Sequence, residues 1–178
     1  MKRLFEAAKG TKLEIPILLG ALGPLRRAEI VALEMSDLDS NGVLHVQRAY
    51  ATDQHQRVVK KSTKTYESDR YIKLPDTVVE KIREQGYICN CSMNYISTTF
   101  PKLLRKAGIK HFRFHDLRHA FVSIAHAAKI PDAYIKERGG WATDYVMKSV
   151  YMHTLDEDRR KNQEQVNDVL SDLLSPGK

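Results

Sequence analysis

The sequence predicts an α+β fold that is mainly α-helical, with a small three-stranded antiparallel sheet. Helical spacing of apolar residues runs through most of the chain, whereas strict alternation is confined to one central stretch. Two short runs after that stretch supply partners for it. With 178 residues, the chain suits one domain with a proper core, plus at most a tail.

Residues 2–9 and 12–22 read as helices separated by Gly10-Thr11, and Gly23-Pro24 makes a turn. A helix from Leu25 to Met35 follows, with Leu25, Ile30, Val31 and Leu33 on its apolar stripe, and the turn chemistry of Asp37 to Gly42 ends it. Val43 to Tyr50 alternates like a half-buried strand. Arg57 to Lys61 and Asp69 to Leu74 are its expected partners in a three-stranded meander. Pro75-Asp76 opens a helix reaching Glu84. Ser92 to Lys106 is helical, with Pro101 either kinking it or starting a second helix after Thr99, and Gly108 closes it. Residues 115–128 and 132–138, interrupted by Ile130-Pro131, look helix-turn-helix-like. Gly139-Gly140 breaks the chain, and Thr143 or Asp144 caps a helix to Tyr151. Asp156 to Leu174 forms a final helix with Val166, Val169, Leu170, Leu173 and Leu174 along one side.

A net charge of +7 and a pI near 9.4 point to a polyanionic partner, nucleic acid before membrane. The charge is clustered. Arg57 to Lys73 holds six basic residues against two acidic, and Lys102 to His119 holds six against one, with three histidines besides. The stretch after Tyr151 is the opposite, six acidic against four basic, and its helix belongs away from a polyanion. No apolar run approaches the roughly 18 residues of a spanning helix. Nor does the N-terminus resemble a secretory signal, so a cytoplasmic protein with no membrane partner is expected. Cys89 and Cys91 stand one residue apart with no second ligand pair, which predicts reduced cysteines and no zinc site.

The chemistry concentrates at His115-Asp116-Leu117-Arg118-His119. On a helix His115, Arg118 and His119 share a face. An arginine fork fits phosphate oxygens, and histidine donates or accepts protons near neutrality. Read from the residues alone, the cluster is a phosphate site that either holds its ligand or acts on it.

Four motifs in order carry a resemblance. Leu25-Arg26-Arg27-Ala28-Glu29-Ile30 is followed by Lys64-Thr65 ahead of Ser68-Asp69-Arg70-Tyr71-Ile72. Then come His115-Asp116-Leu117-Arg118-His119, and Gly140-Trp141 with Tyr151 ten residues on. Together they resemble the catalytic domain of the tyrosine recombinase (phage integrase) family, over nearly the whole chain from Ile15 to His153.

The resemblance implies an active site of Arg26, Lys64, His115, Arg118, Trp141 and Tyr151. Tyr151 would attack the scissile phosphate to give a 3′-phosphotyrosyl link. Arg26 and Arg118 would hold the non-bridging oxygens, and Lys64 would protonate the leaving 5′-oxygen. His115 would hydrogen-bond the phosphate or take the nucleophile's proton. Trp141, standing where most members carry histidine, can donate one N–H and pack but cannot shuttle a proton. Since a 5′-hydroxyl reverses the step, no metal or other cofactor is implied. The residues themselves leave alternatives: Arg27 for Arg26, Lys60 or Lys61 for Lys64, and Tyr145 for Tyr151. Glu29 reads as a partner orienting an arginine, and His119 as support.

On this reading residues 1–155 form the catalytic domain and 156–178 a helical tail, packing in cis or on a neighbouring protomer. Nothing in the sequence corresponds to the helical core-binding domain that usually comes first in the family. The implied partner is double-stranded DNA, bound by a tetramer of full-length protomers on paired sites, with this domain alone monomeric. The implied activity is strand breakage and rejoining for integration or excision of a mobile element. A catalytically inactive DNA-binding relic and a type IB topoisomerase-like activity are the competing readings.

Overall fold

The computed structural model describes residues 1–52, 58–62 and 69–143. The helices expected over 143–151 and 156–174, and with them the proposed tail, lie outside the described residues.

α2 (Glu14–Leu22) is the central element, and its sequence says why. Ile15, Pro16, Ile17, Leu19, Gly20 and Ala21 are all buried, so it is apolar nearly all round, as a helix surrounded by others must be. α1 (Lys2–Ala8), α3 (Arg27–Ala32), α4 (Asp76–Gln85) and α6 (Asp116–Ala127) pack against it. At Gly20 a Cβ would lie 3.1 Å from Leu117 Cδ1, so glycine there lets α6 approach closely. α5 (Met93–Lys106) begins at Ser92, whose Oγ accepts the Tyr95 N–H at 3.1 Å, a helix start that satisfies one free donor. It buries Ile96, Phe100 and Leu104. The helix runs unbroken through Pro101, so no second helix starts after Thr99. α7 (Asp132–Gly139) completes the described helices.

One main core joins α1 to α6 with the first and last strands, while Val122, Ala125, Ile135 and Trp141 form a smaller cluster between α6 and the end of α7.

Two expectations need correction. The helix expected over 25–35 is only Arg27–Ala32, followed by a short 3-10 turn at Met35–Asp37. Two carboxylates divide the stretch: Glu29 accepts the Arg26 N–H at 2.7 Å and Asp37 accepts the Glu34 N–H at 2.8 Å. Each fixes a new helical start where the periodicity ran on.

The sheet is not a three-stranded meander. β1 (Val43–Val46) pairs with β4 (Arg70–Lys73), and β2 (Arg48–Thr52) pairs with β3 (Val58–Ser62), both antiparallel. Val43 faces Lys73 and Val46 faces Arg70, while Arg48 faces Ser62 and Thr52 faces Val58. The single strand expected over 43–50 therefore changes partner at Gln47. Buried Asp37 sits at that junction, accepting from Gln47 Nε2 at 2.9 Å and from Arg48 Nη2 at 2.5 and 2.6 Å. Alternation identifies strands and their faces, but it does not choose partners.

Candidate active site

Arg26 stands in extended conformation just ahead of α3 (φ −73°, ψ 147°), anchored by buried Leu25. Its side chain is 38% exposed, so it can meet a ligand. Nη1 donates to Glu29 Oε1 at 2.6 Å and Nη2 to the Gly140 carbonyl at 2.9 Å. Arg27 points elsewhere, donating to Ser97 Oγ on α5. Of the two arginines, Arg26 is the one bonded at Gly140, next to Trp141.

α6 brings the second group. Asp116 Oδ2 accepts the Arg113 N–H at 2.8 Å, which stabilises the first turn of the helix. Arg118 lies on the buried face with Val122 and Ala125, and is 1% exposed. Its guanidinium donates to the Pro24 carbonyl and, at 2.9 Å, to the Gly139 carbonyl. Nε is buried with no hydrogen-bond partner among the described residues. Burial, then repulsion from Arg26, lowers the proton affinity of Arg118, but a guanidinium stays cationic at neutral pH.

His115, at the start of α6, is exposed, and its ring meets that of His119 edge-on with centroids 5.2 Å apart. Partial burial lowers the pKa of His115, helped by Arg118 and then His119. That of His119 is also lowered, again chiefly by burial. Both shifts favour the neutral imidazole, the form in which His115 can accept a proton. His119 Nδ1 is buried without a partner among the described residues.

Trp141 is 7% exposed and lies against Arg118, whose Cζ is 4.6 Å from the ring centroid. Its placement follows from the end of α7. Gly140 takes the left-handed conformation at φ 64°, which glycine adopts without strain. The Trp141 backbone N–H reaches back to the Lys136 carbonyl at 3.2 Å. A Cβ on Gly139 would collide with Trp141 Cζ3, so only glycine leaves room for the ring.

That helix end also gathers the arginines. Three successive carbonyls accept from three guanidiniums: Arg138 O from Arg70 Nε, Gly139 O from Arg118 Nη2 and Gly140 O from Arg26 Nη2, each at 2.9 Å. The negative end of a helix dipole favours such cations. Arg138 itself donates to the Leu22 and Lys73 carbonyls, both at 3.1 Å, tying α7 to α2 and β4.

The structure thus brings together Arg26, His115, Arg118 and Trp141. Lys64 and Tyr151, with the rival Tyr145, lie outside the described residues. Arg70 and Arg138 were missed as site supports. For Arg70 a signal existed, because alternation puts it on the inward face with Ile72 and Leu74, all three buried.

Arg26 and His115 also border a cavity of about 510 Å³, whose wall includes Arg27, Ser97, Phe100 and Arg113. Among the described residues no group of three or more His, Cys, Asp or Glu is placed to hold a metal, and no described helix is long and apolar enough to cross a membrane. Burial pushes the Cys89 thiol up to about 11, which leaves it protonated and unreactive at neutral pH.

The sequence profile of the phage integrase family matches residues 1–158. A tyrosine recombinase XerC-like protein of Caldanaerobacter subterraneus subsp. tengcongensis is 22% identical over 205 residues, covering 95% of this chain and 52% of that protein. The integrase of Salmonella phage P22 is 25% identical over 162 residues, covering 82% of this chain and 40% of that protein. The chain therefore spans about half, or less, of these relatives' length. The Tn1549 transposon integrase, solved in complex with a circular intermediate DNA, superposes with a TM-score of 0.76 at 16% identity, over 93% of this chain and 63% of that one. At that identity the likeness is one of fold.

Proposed function

The chain belongs to the phage integrase family, and from that premise we propose that it carries the catalytic centre of a site-specific DNA recombinase of a phage or other mobile element. The substrate is duplex DNA. Tyr151 attacks the scissile phosphorus, and the bond to the 5′-oxygen breaks. This leaves a 3′-phosphotyrosyl link and a free 5′-hydroxyl. A 5′-hydroxyl from a partner strand then attacks that link and releases the tyrosine. One phosphodiester is exchanged for another, so the chemistry balances without an energy donor.

The observation that carries this reading is the meeting of Arg26 and Arg118 on adjacent carbonyls at the end of α7. Their backbone partners fix two cations side by side, where the pentavalent transition state gains negative charge. Arg118 Nε, buried, has no hydrogen-bond partner among the described residues and keeps a donor free for this role. Neutral His115 accepts the phenol's proton or hydrogen-bonds a phosphate oxygen. The Trp141 ring lies under the Arg118 guanidinium, a contact worth about 0.5–2 kcal/mol in general. Lys64 protonates the leaving 5′-oxygen. The acting unit is a tetramer of full-length protomers on two DNA sites, and this domain alone is a monomer in the cytoplasm of a bacterial host.

The test is to trap the intermediate. Incubation with duplexes nicked just beyond the cleavage position, followed by denaturing gel electrophoresis, should yield a covalent adduct. Peptide mass spectrometry should place the phosphodiester on Tyr151. An adduct carried by another residue would refute the assignment, and DNA binding without any adduct would favour a relic that only binds.

A further inference from the structure

Arg26 does not face its ligand alone, because buried Glu29 holds it through both carboxylate oxygens. Oε1 accepts Arg26 Nη1 at 2.6 Å, and Oε2 accepts the Arg26 backbone N–H at 2.7 Å. An isolated pair of this kind would cancel the charge that a phosphate needs. Arg70 changes the balance. It approaches the same carboxylate from β4, with Nη1 3.2 Å from Oε1 and Nη2 3.0 Å from Oε2. Glu29 and Arg70 side chains are only 1% and 4% exposed, so solvent screens this contact far less than it would at the surface. Two guanidiniums sharing one carboxylate leave a net single positive charge, and the exposed member of the three is Arg26.

We propose that Arg70 is a positioning residue for DNA cleavage: it neutralises Glu29, so that Arg26 is oriented by the carboxylate yet keeps its charge for the scissile phosphate. Arg70 touches no substrate. It also fixes geometry, since its Nε holds the Arg138 carbonyl at 2.9 Å, two residues before the carbonyl that holds Arg26. Removing Arg70 leaves Glu29 paired with Arg26 alone, and removing the Glu29 charge as well returns the lost positive charge.

This inference rests on the function proposed above, and the experiment separates the two. The variants are Arg70→Met, Arg70→Lys, Glu29→Gln and the double variant Arg70→Met/Glu29→Gln. Adduct formation on nicked duplex is timed over a range of DNA concentrations. Arg70→Met should lower the saturating rate about tenfold or more with little change in half-saturating DNA, the pattern of an interaction felt at the transition state. Arg70→Lys, which keeps the charge, should recover much of the rate, and the double variant should cleave faster than Arg70→Met. A double variant no faster than Arg70→Met, or Arg70→Met cleaving like wild type, overturns the inference. A second readout needs no DNA: the Glu29 carboxyl, followed by carbon NMR, should titrate at higher pH in Arg70→Met than in wild type. An unchanged titration overturns the inference whether or not the chain cleaves DNA.

Discussion

The Arg118 guanidinium lies 4.6 Å from the centroid of the Trp141 ring, with Gly139 too close beneath that ring to carry a side chain. The tryptophan therefore acts as a wall for the arginine. Trp141→Phe should keep a wall and cost about 1–2 kcal/mol, whereas Trp141→Ala should cost about 3–5 kcal/mol. Gly139→Ala should resemble the alanine variant, since its methyl displaces the ring. Denaturant unfolding gives the stabilities. In cleavage assays Trp141→Phe should stay within about tenfold of wild type, with the alanine variant well below it. Equal loss in both would assign the role to the indole N–H instead.

Acid should destabilise the fold in two steps. Burial opposes ionisation of Glu29, but Arg70 and then Arg26 outweigh it and hold its pKa below the ordinary 4.5. Asp37, also opposed by burial, is held below its ordinary 3.8 by the Glu34 N–H, Gln47 and Arg48. For carboxyls so lowered, stability is present above the unfolded value and lost as pH falls through the folded one. His115 and His119 are lowered from 6.5, so the fold favours their neutral forms. Their contribution is complete above 6.5 and declines as pH falls below it. Urea unfolding from pH 8 to 3 should show a plateau, a decline below 6.5 and a steeper loss below 4.5. A flat profile from pH 7.5 to 5 would contradict the histidine assignment. Glu29→Ala, which strands buried Arg70, should cost about 3–5 kcal/mol at neutral pH.

The proton donor can be tested by removing the need for it. A duplex with sulfur in place of the bridging 5′-oxygen releases a thiolate, which needs little protonation. Lys64→Ala should cleave ordinary DNA about 100-fold or more slowly and regain most of its rate on the sulfur-containing duplex. Continued slowness there would remove Lys64 from the proton-donor role, and recovery by Lys60→Ala or Lys61→Ala would transfer it.

DNA binding should weaken steeply with salt, because neutralised phosphates release counterions. Arg27 and Arg113 border the cavity beside Arg26 and His115, on the expected path of the DNA backbone. Arg27→Ala and Arg113→Ala should each reduce the slope of log affinity against log salt by about one. Unchanged slopes in titrations from low to high salt would place the backbone elsewhere.

Much of this was legible in the residues. Helices announced themselves by spacing, as Ile96, Phe100 and Leu104 do on α5, and Ser92 marked its start. Arg118 falls on a face with Val122 and Ala125, so its burial could be read from helical spacing. Strand partners could not, because Val43 to Tyr50 carries no mark of the change at Gln47 that a distant Asp37 carboxylate accompanies. Arg70 escaped for a different reason. A charged residue amid a basic run reads as solvated, and only its alternation with Ile72 and Leu74 shows that it turns inward. Glu29 was read as a partner for an arginine. It has two, and the second comes from a strand forty-one residues away.

The central claim is that the cations gathered at the end of α7 serve a tyrosine nucleophile at position 151. It is tested most directly by adduct formation on a nicked duplex by wild type and Tyr151→Phe, with Tyr145→Phe as control. Wild type and Tyr145→Phe should both give a covalent protein–DNA species, and Tyr151→Phe, still folded and still binding DNA, should give none. An adduct that persists in Tyr151→Phe, or disappears in Tyr145→Phe alone, would contradict the account.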